Sequence, residues 1–199
     1  MVNERLPDES LRLAVALVAA LNLAYFCVEF SVALIIGSVS LFADSIDFLE
    51  DTSVNCLILV ALRWSDRWRA RVGMALAGIL LVPSIATLFT AWRKFVAPMP
   101  PAPLPLSVTG AGAFAVNLTC ALLLAAYRHH SGSLTKAAFL SARNDVLADV
   151  AIVGAGLVTS RTLSIWPDLV VGLGIAAINA DAARKVWQAA RQEHLATEA

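Results

Sequence analysis

The sequence predicts an all-α protein, an integral membrane bundle of six transmembrane helices, and three observations carry that prediction. Of its 199 residues 59% are hydrophobic and only 15% charged, against roughly 25% charged in an ordinary soluble domain. The mean hydropathy is +0.73. A membrane crossing takes roughly 20 mostly apolar residues, and six such stretches recur, near 11–36, 39–63, 72–96, 107–127, 134–158 and 168–190. The chain is therefore read as one unit: a polar N-terminal segment over 1–10, a transmembrane domain over 11–190 and a short tail over 191–199.

The opening "MVNERLPDES" carries Glu4, Arg5, Asp8 and Glu9 rather than a basic patch before a short apolar core, so no cleaved leader is expected and the first helix is retained. Lys and Arg then set the orientation, because they accumulate on cytoplasmic loops. The N-terminus, the loops after the second and fourth helices and the tail hold eleven of them, from Arg5 and Arg12 through Arg63, Arg67, Arg69, Arg71, Arg128 and Lys136 to Arg184, Lys185 and Arg191; the opposite side holds three, Arg93, Lys94 and Arg161. Both termini are expected in the cytoplasm. Between the third and fourth helices "APMPPAPLPLS" reads as a stiff extended linker. Trp64, Trp68, Trp92, Trp166 and Trp187 fall at helix ends, as an interfacial aromatic belt does. Cys27, Cys56 and Cys120 lie in apolar helices without metal-type spacing and read as packing residues. The zero formal net charge says nothing about partners, since bases sit at the loops and many acids inside helices; membrane lipid is an expected partner and nucleic acid is not.

Those acids are the anomaly. The second helix contains "SVSLFADSIDFLED", with Asp44, Asp47, Glu50 and Asp51 within eight positions. At about 100° per residue, Asp44, Asp47 and Asp51 fall within an arc of about 60° and Glu50 about 60° further round. On the fifth helix, "SARNDVLAD" places Ser141, Asp145 and Asp149 four apart, within about 80° of one another, while Arg143 points the other way. Glu29 lies deep in the first helix and Asn117 in the fourth. An ionised side chain near the bilayer centre costs roughly 2.5–3.5 kcal/mol even on lenient scales. Snorkelling or a local ion pair can account for one or two of these acids, but a single Arg143 cannot neutralise seven. A divalent cation can, held by clustered carboxylate oxygens on facing helices. Arg143 itself is expected to pair with Glu50 or Glu29, or to meet a lipid phosphate.

"GSVSLFADSIDFLEDTSVN" resembles the second-helix signature of the cation diffusion facilitators: a small-residue turn (Gly37, Ser38, Ser40), then Ala43-Asp44, then two ligands spaced by four, here Asp47 and Asp51. The family's second pair, a His followed four residues later by an Asp, falls on Ser141 and Asp145. Glu29, Asn117 and "WPDLVVGLGIAA" (166–177) add to the resemblance, which covers about residues 10–190. It implies a homodimeric transporter, paired through its transmembrane helices and both termini cytoplasmic, that binds a metal tetrahedrally between helices two and five and exports it in exchange for protons. The metal is then a transported substrate and not a cofactor. Asp47, Asp51 and Asp145 are the implied direct ligands, with Ser141, Asp149 or water completing the set. Zinc, with cadmium as a zinc-like ion, is the expected substrate, and a bacterial inner membrane the expected location.

In two respects the chain departs from the family's pattern. Most members continue past the sixth helix into a cytoplasmic metal-sensing domain, which is not expected within these residues. Replacing the His by Ser141 leaves an all-oxygen donor set that leans toward harder ions such as manganese or ferrous iron. His129 and His130 in the "YRHHSGS" loop could collect metal near the entrance. A six-helix lipid-head-group transferase, which also holds metals on membrane aspartates, is the main alternative, but its D-G-x-x-A-R element is missing and no D-G occurs. A non-transporting partner of a full-length facilitator is the third reading.

Overall fold

The computed structural model describes residues 9–61, 85–127 and 132–198. Among these residues there are six helices and no strand: α1 (Glu9–Ile36), α2 (Val39–Ala61), α3 over 85–96, α4 (Pro103–Ala125), α5 (Gly132–Thr162) and α6 (Trp166–Glu198). At 28 residues α1 is about 42 Å long, and the 23 residues of α2 and of α4 give about 35 Å, each enough to cross a hydrocarbon core of about 30 Å.

The turn between α1 and α2 is built by its sequence. Gly37 takes φ +64°, the left-handed conformation that ends a helix without a Cβ penalty, and Ser38 N–H reaches back to the Ala33 carbonyl at 3.0 Å, closing a Schellman motif. Ser38 then caps α2: its Oγ accepts from Leu41 N–H at 3.2 Å, satisfying one of the free donors of the first turn. The other end of the chain's hairpin logic appears at Leu163, which takes φ 50° as α5 stops, its N–H bonded to the Thr159 carbonyl at 2.8 Å.

The expected proline-rich linker is shorter than the sequence suggests. α4 begins at Pro103, with Ala102 extended at its N-cap and proline in its first turn. Proline is compatible with that position because the missing N–H has no intrahelical partner there, so "PLPLS" (103–107) joins the helix. α5 and α6 likewise run past the expected spans, and α6 stays helical through 191–198, the stretch set apart above as a tail. Of the third expected span, 72–84 lies outside the described residues.

α2 packs on α1, α5 and α6 and touches α4, which makes it the central helix; α4 and α5 form the most extensive pair. One apolar cluster joins Ala33 of α1, Leu41, Phe42 and Ile46 of α2, Leu106 of α4, Ile152 of α5 and Ile175 of α6. A second joins Val15 and Val18 to Cys120, Leu124 and Ala142. The outer surface is also apolar: Leu13, Ile35, Leu122, Leu147 and Ile178 all face outward, as lipid contact requires and water contact would not favour. Only α1 and α4 among the described helices pass a test of length and apolarity for a span. α2, α5 and α6 carry the charged residues that a lipid-facing span lacks, and α2 turns its acids inward.

Trp92 and Trp166 are exposed near the ends of α3 and α6, each against Phe95. Cys120 is buried, whereas Cys27 and Cys56 are exposed on the outside of the bundle, so only the first of the three packs in the interior.

Candidate metal centre

α2 and α5 lie side by side, and their four-residue spacing aligns carboxylates on the shared face. By four-residue spacing Asp47 lies one turn from Asp51 on the same face of α2, and Asp145 one turn from Ser141 on the same face of α5. Ser141 joins the two faces: its Oγ donates to Asp51 Oδ1 at 3.0 Å. Asn55, one turn beyond, donates through Nδ2 to the Asp51 carbonyl at 2.7 Å. Among the described residues no three His, Cys, Asp or Glu side chains converge as tightly as the ligands of a bound ion. Like charges this close drive their oxygens apart unless a cation or protons lie between them.

Asp149 belongs to a different group. Asn117 of α4 donates to its Oδ2 at 3.0 Å, and Asp44 of α2 and Glu29 of α1 are among the neighbouring acids. The row Glu29, Asp44, Asp149, Asn117 thus runs across α1, α2, α5 and α4, on the inner side of Asp47. Glu29, Asp44 and Asp149 are fully buried, and both oxygens of Glu29 and Asp44 and Oδ1 of Asp149 receive no donor from the protein. Such groups are not stable as bare charges in a low dielectric; they hold protons or face a cation.

Burial differs along α2. Residues 38–46 are all buried, whereas Asp47, Leu49, Glu50, Ser53 and Val54 are half-buried. Phe48, Asp51, Thr52 and Asn55 in the same half of α2 are buried, so burial there alternates with the helix face.

Arg143 does not pair with Glu50 or Glu29. It is exposed on the outer face of α5, where among the described residues Asn144 Oδ1 lies near its guanidinium at 3.4 Å. The cause is periodicity: a position two residues from Asp145 is rotated by about 200° from it. His129 and His130 lie outside the described residues.

A family model described as the cation efflux transmembrane domain matches residues 15–192. The chain belongs to the cation efflux family. Comparison with curated proteins returns no match. As a cation efflux protein it is an integral membrane transporter of a metal cation, and the family consists of transporters rather than enzymes. Membership accounts for an apolar exterior around an acidic interior, since a cation needs oxygen donors along its route and the helices need lipid outside.

Sequence reading singled out every acid of this cation efflux domain on α1, α2 and α5 but passed over Lys94 and gave Asp168 no role of its own. Lys94 of α3 and Asp168 of α6 form a buried ion pair at 2.6 Å. They are 74 residues apart and follow no common pattern; the one available hint was that each sits at the edge of an apolar stretch.

Proposed function

We propose that this protein exports a divalent transition-metal ion, zinc and with it cadmium, from the cytoplasm in exchange for protons. Asp47, Asp51 and Asp145 bind the metal directly and Ser141 fills the fourth position. The observation that carries this reading is the Ser141 to Asp51 hydrogen bond across the α2–α5 interface, with Asp47 and Asp145 one turn away on the same two helix faces. It also favours Ser141 over Asp149, whose carboxylate is held by Asn117 instead.

The chemistry follows from the donors. A carboxylate oxygen binds either a metal or a proton, so metal binding releases protons and protonation releases metal. Metal entering from the cytoplasm displaces protons from Asp47, Asp51 and Asp145; when the helices rearrange and the site faces the far side, returning protons displace the metal. The Lys and Arg distribution supports both termini in the cytoplasm. Two copies pair through their transmembrane helices, in a bacterial inner membrane.

One observation favours a second substrate class. Ser141 supplies oxygen where a His would supply nitrogen, so the donor set is all oxygen, which suits manganese or ferrous iron better than zinc.

Purified protein in liposomes containing a pH dye, assayed with zinc, cadmium, manganese and ferrous iron beside Asp47→Ala, tests both readings. Metal flux with opposing proton flux, lost in the variant, is expected, and the ion with the highest flux names the substrate. Absence of flux for all four ions with folded protein would overturn the transporter reading for this chain.

A further inference from the structure

At the end of the bundle formed by the α1–α2 turn, one carboxylate of α6 collects donors from two other segments, residues 38–40 and α3. Asp168 Oδ1 accepts from Ser38 Oγ at 2.6 Å, Ser40 Oγ at 2.7 Å and Ser40 N–H at 3.1 Å. Its Oδ2 accepts from Val39 N–H at 3.0 Å and Lys94 Nζ at 2.6 Å. Lys94 Nζ also donates to the Gly37 carbonyl at 2.7 Å. The carboxylate of α6 thus sits on the N-terminus of α2, where free amides and the helix dipole favour an anion, and the ammonium of α3 bridges it to the last carbonyl of the α1–α2 turn. Asp168 is fully buried and Lys94 is 7% exposed. Gly172 brings α6 against the α2 backbone: a Cβ there would meet Val39 C and Ser40 N at 2.7 Å. From this closure to Asp47 is nine residues along α2, about 13 Å.

We infer that Asp168 and Lys94 are positioning residues that seal the non-cytoplasmic side of the transport path by locking the start of α2 to α3 and α6, and that their separation is what lets the site face outward. This rests on the proposed antiport with cytoplasmic entry. A hydrophobic plug would also block the path, but it would hold no defined position of α2; a carboxylate with five donors does. Opening needs those donors to find other partners, and water entering the opened end supplies them. The seal is therefore stable while dry and weakened once wet, which suits a gate with two discrete positions.

The test is proton leak in metal-free liposomes with an imposed pH gradient. Wild type holds the gradient. Asp168→Asn, which keeps the size of the side chain but loses the charge that binds Lys94, is expected to dissipate it about tenfold faster. In Asp168→Asn combined with Asp47→Ala the leak disappears, because protons reach the far side through the transport acids. Ser40→Ala removes one donor while keeping the ion pair and is expected to leak less than Asp168→Asn but in the same way. It serves where Asp168→Asn fails to fold, with folding checked by helix content and by elution as a single species. A folded Asp168→Asn or Ser40→Ala as tight as wild type overturns the inference. So does a leak that persists with Asp47→Ala, which would mark general loosening. Metal exchange by wild type in the same vesicles reads the antiport separately, so failure of that reading is distinguishable from failure of the seal.

Discussion

At Asp51 one hydroxyl group orients a carboxylate. The Ser141 hydrogen bond fixes which Asp51 oxygen faces α5, and loss of a group that orients a ligand costs about 10–100-fold in metal affinity. Ser141→Ala is therefore expected to weaken zinc or cadmium binding by about tenfold at the lower end of that range, measured by titration calorimetry on the purified protein. Ser141→His replaces oxygen by an imidazole nitrogen at the same place, and should move selectivity toward zinc and away from manganese in a competition assay. If both substitutions leave the order of ions unchanged, Ser141 does not meet the metal. Asp149→Asn tests the converse: Asn117 holds that side chain away from Asp51, so affinity should stay within about threefold of wild type, well under 1.4 kcal/mol. Asp47→Ala and Asp145→Ala should abolish transport yet leave the fold intact, because each removes a half-buried acid that repels its neighbours.

At the level of the helices, the acids and the apolar runs were legible because both follow the 3.6-residue period: Asp47 with Asp51 and Ser141 with Asp145 each share a face whatever the neighbouring helix is. What spacing could not give is which face meets which. Asp149 continues the Ser141–Asp145 series, yet it lies one turn further along α5, where α4 and α1 supply Asn117 and Glu29. Arg143 could be placed opposite Asp145 from period alone, but the ion pair expected for it depended on a helix that does not lie on that side. The proline-rich stretch was misjudged for a local reason, since proline reads as linker until its position in the first turn of α4 is known. Close packing of α6 on α2 was equally hidden, because Gly172 has no pattern that names its neighbour. Gly172→Ala should cost about 1–3 kcal/mol, since the added methyl meets backbone and not a movable side chain. A lowered midpoint for thermal loss of helix signal in detergent would show it, and a midpoint equal to wild type would mean that α6 does not approach α2 as described.

For the molecule as a whole, composition settled membrane class and helix number, since a chain this apolar can bury its backbone in lipid only as helices or a closed barrel, and strand alternation is lacking. Orientation is the remaining global property, and the proposed direction of transport depends on it. The fold constrains it in one way: the α1–α2 turn, Lys94 near the end of α3 and Asp168 near the start of α6 meet at one end of the bundle, so the connections 37–38, 97–102 and 163–165 lie on the same side and both ends of the described chain on the other. Lys and Arg bias places the termini in the cytoplasm. A fluorescent protein that matures only in the cytoplasm should therefore glow when fused to either end, and alkaline phosphatase, active only outside it, should be active when inserted between Pro98 and Pro101 and inactive at the termini. The reverse pattern would invert the bundle, put the half-buried Asp47 and Glu50 toward the outside and the Lys94–Asp168 closure toward the cytoplasm, and turn the same acids into a site loaded from outside the cell.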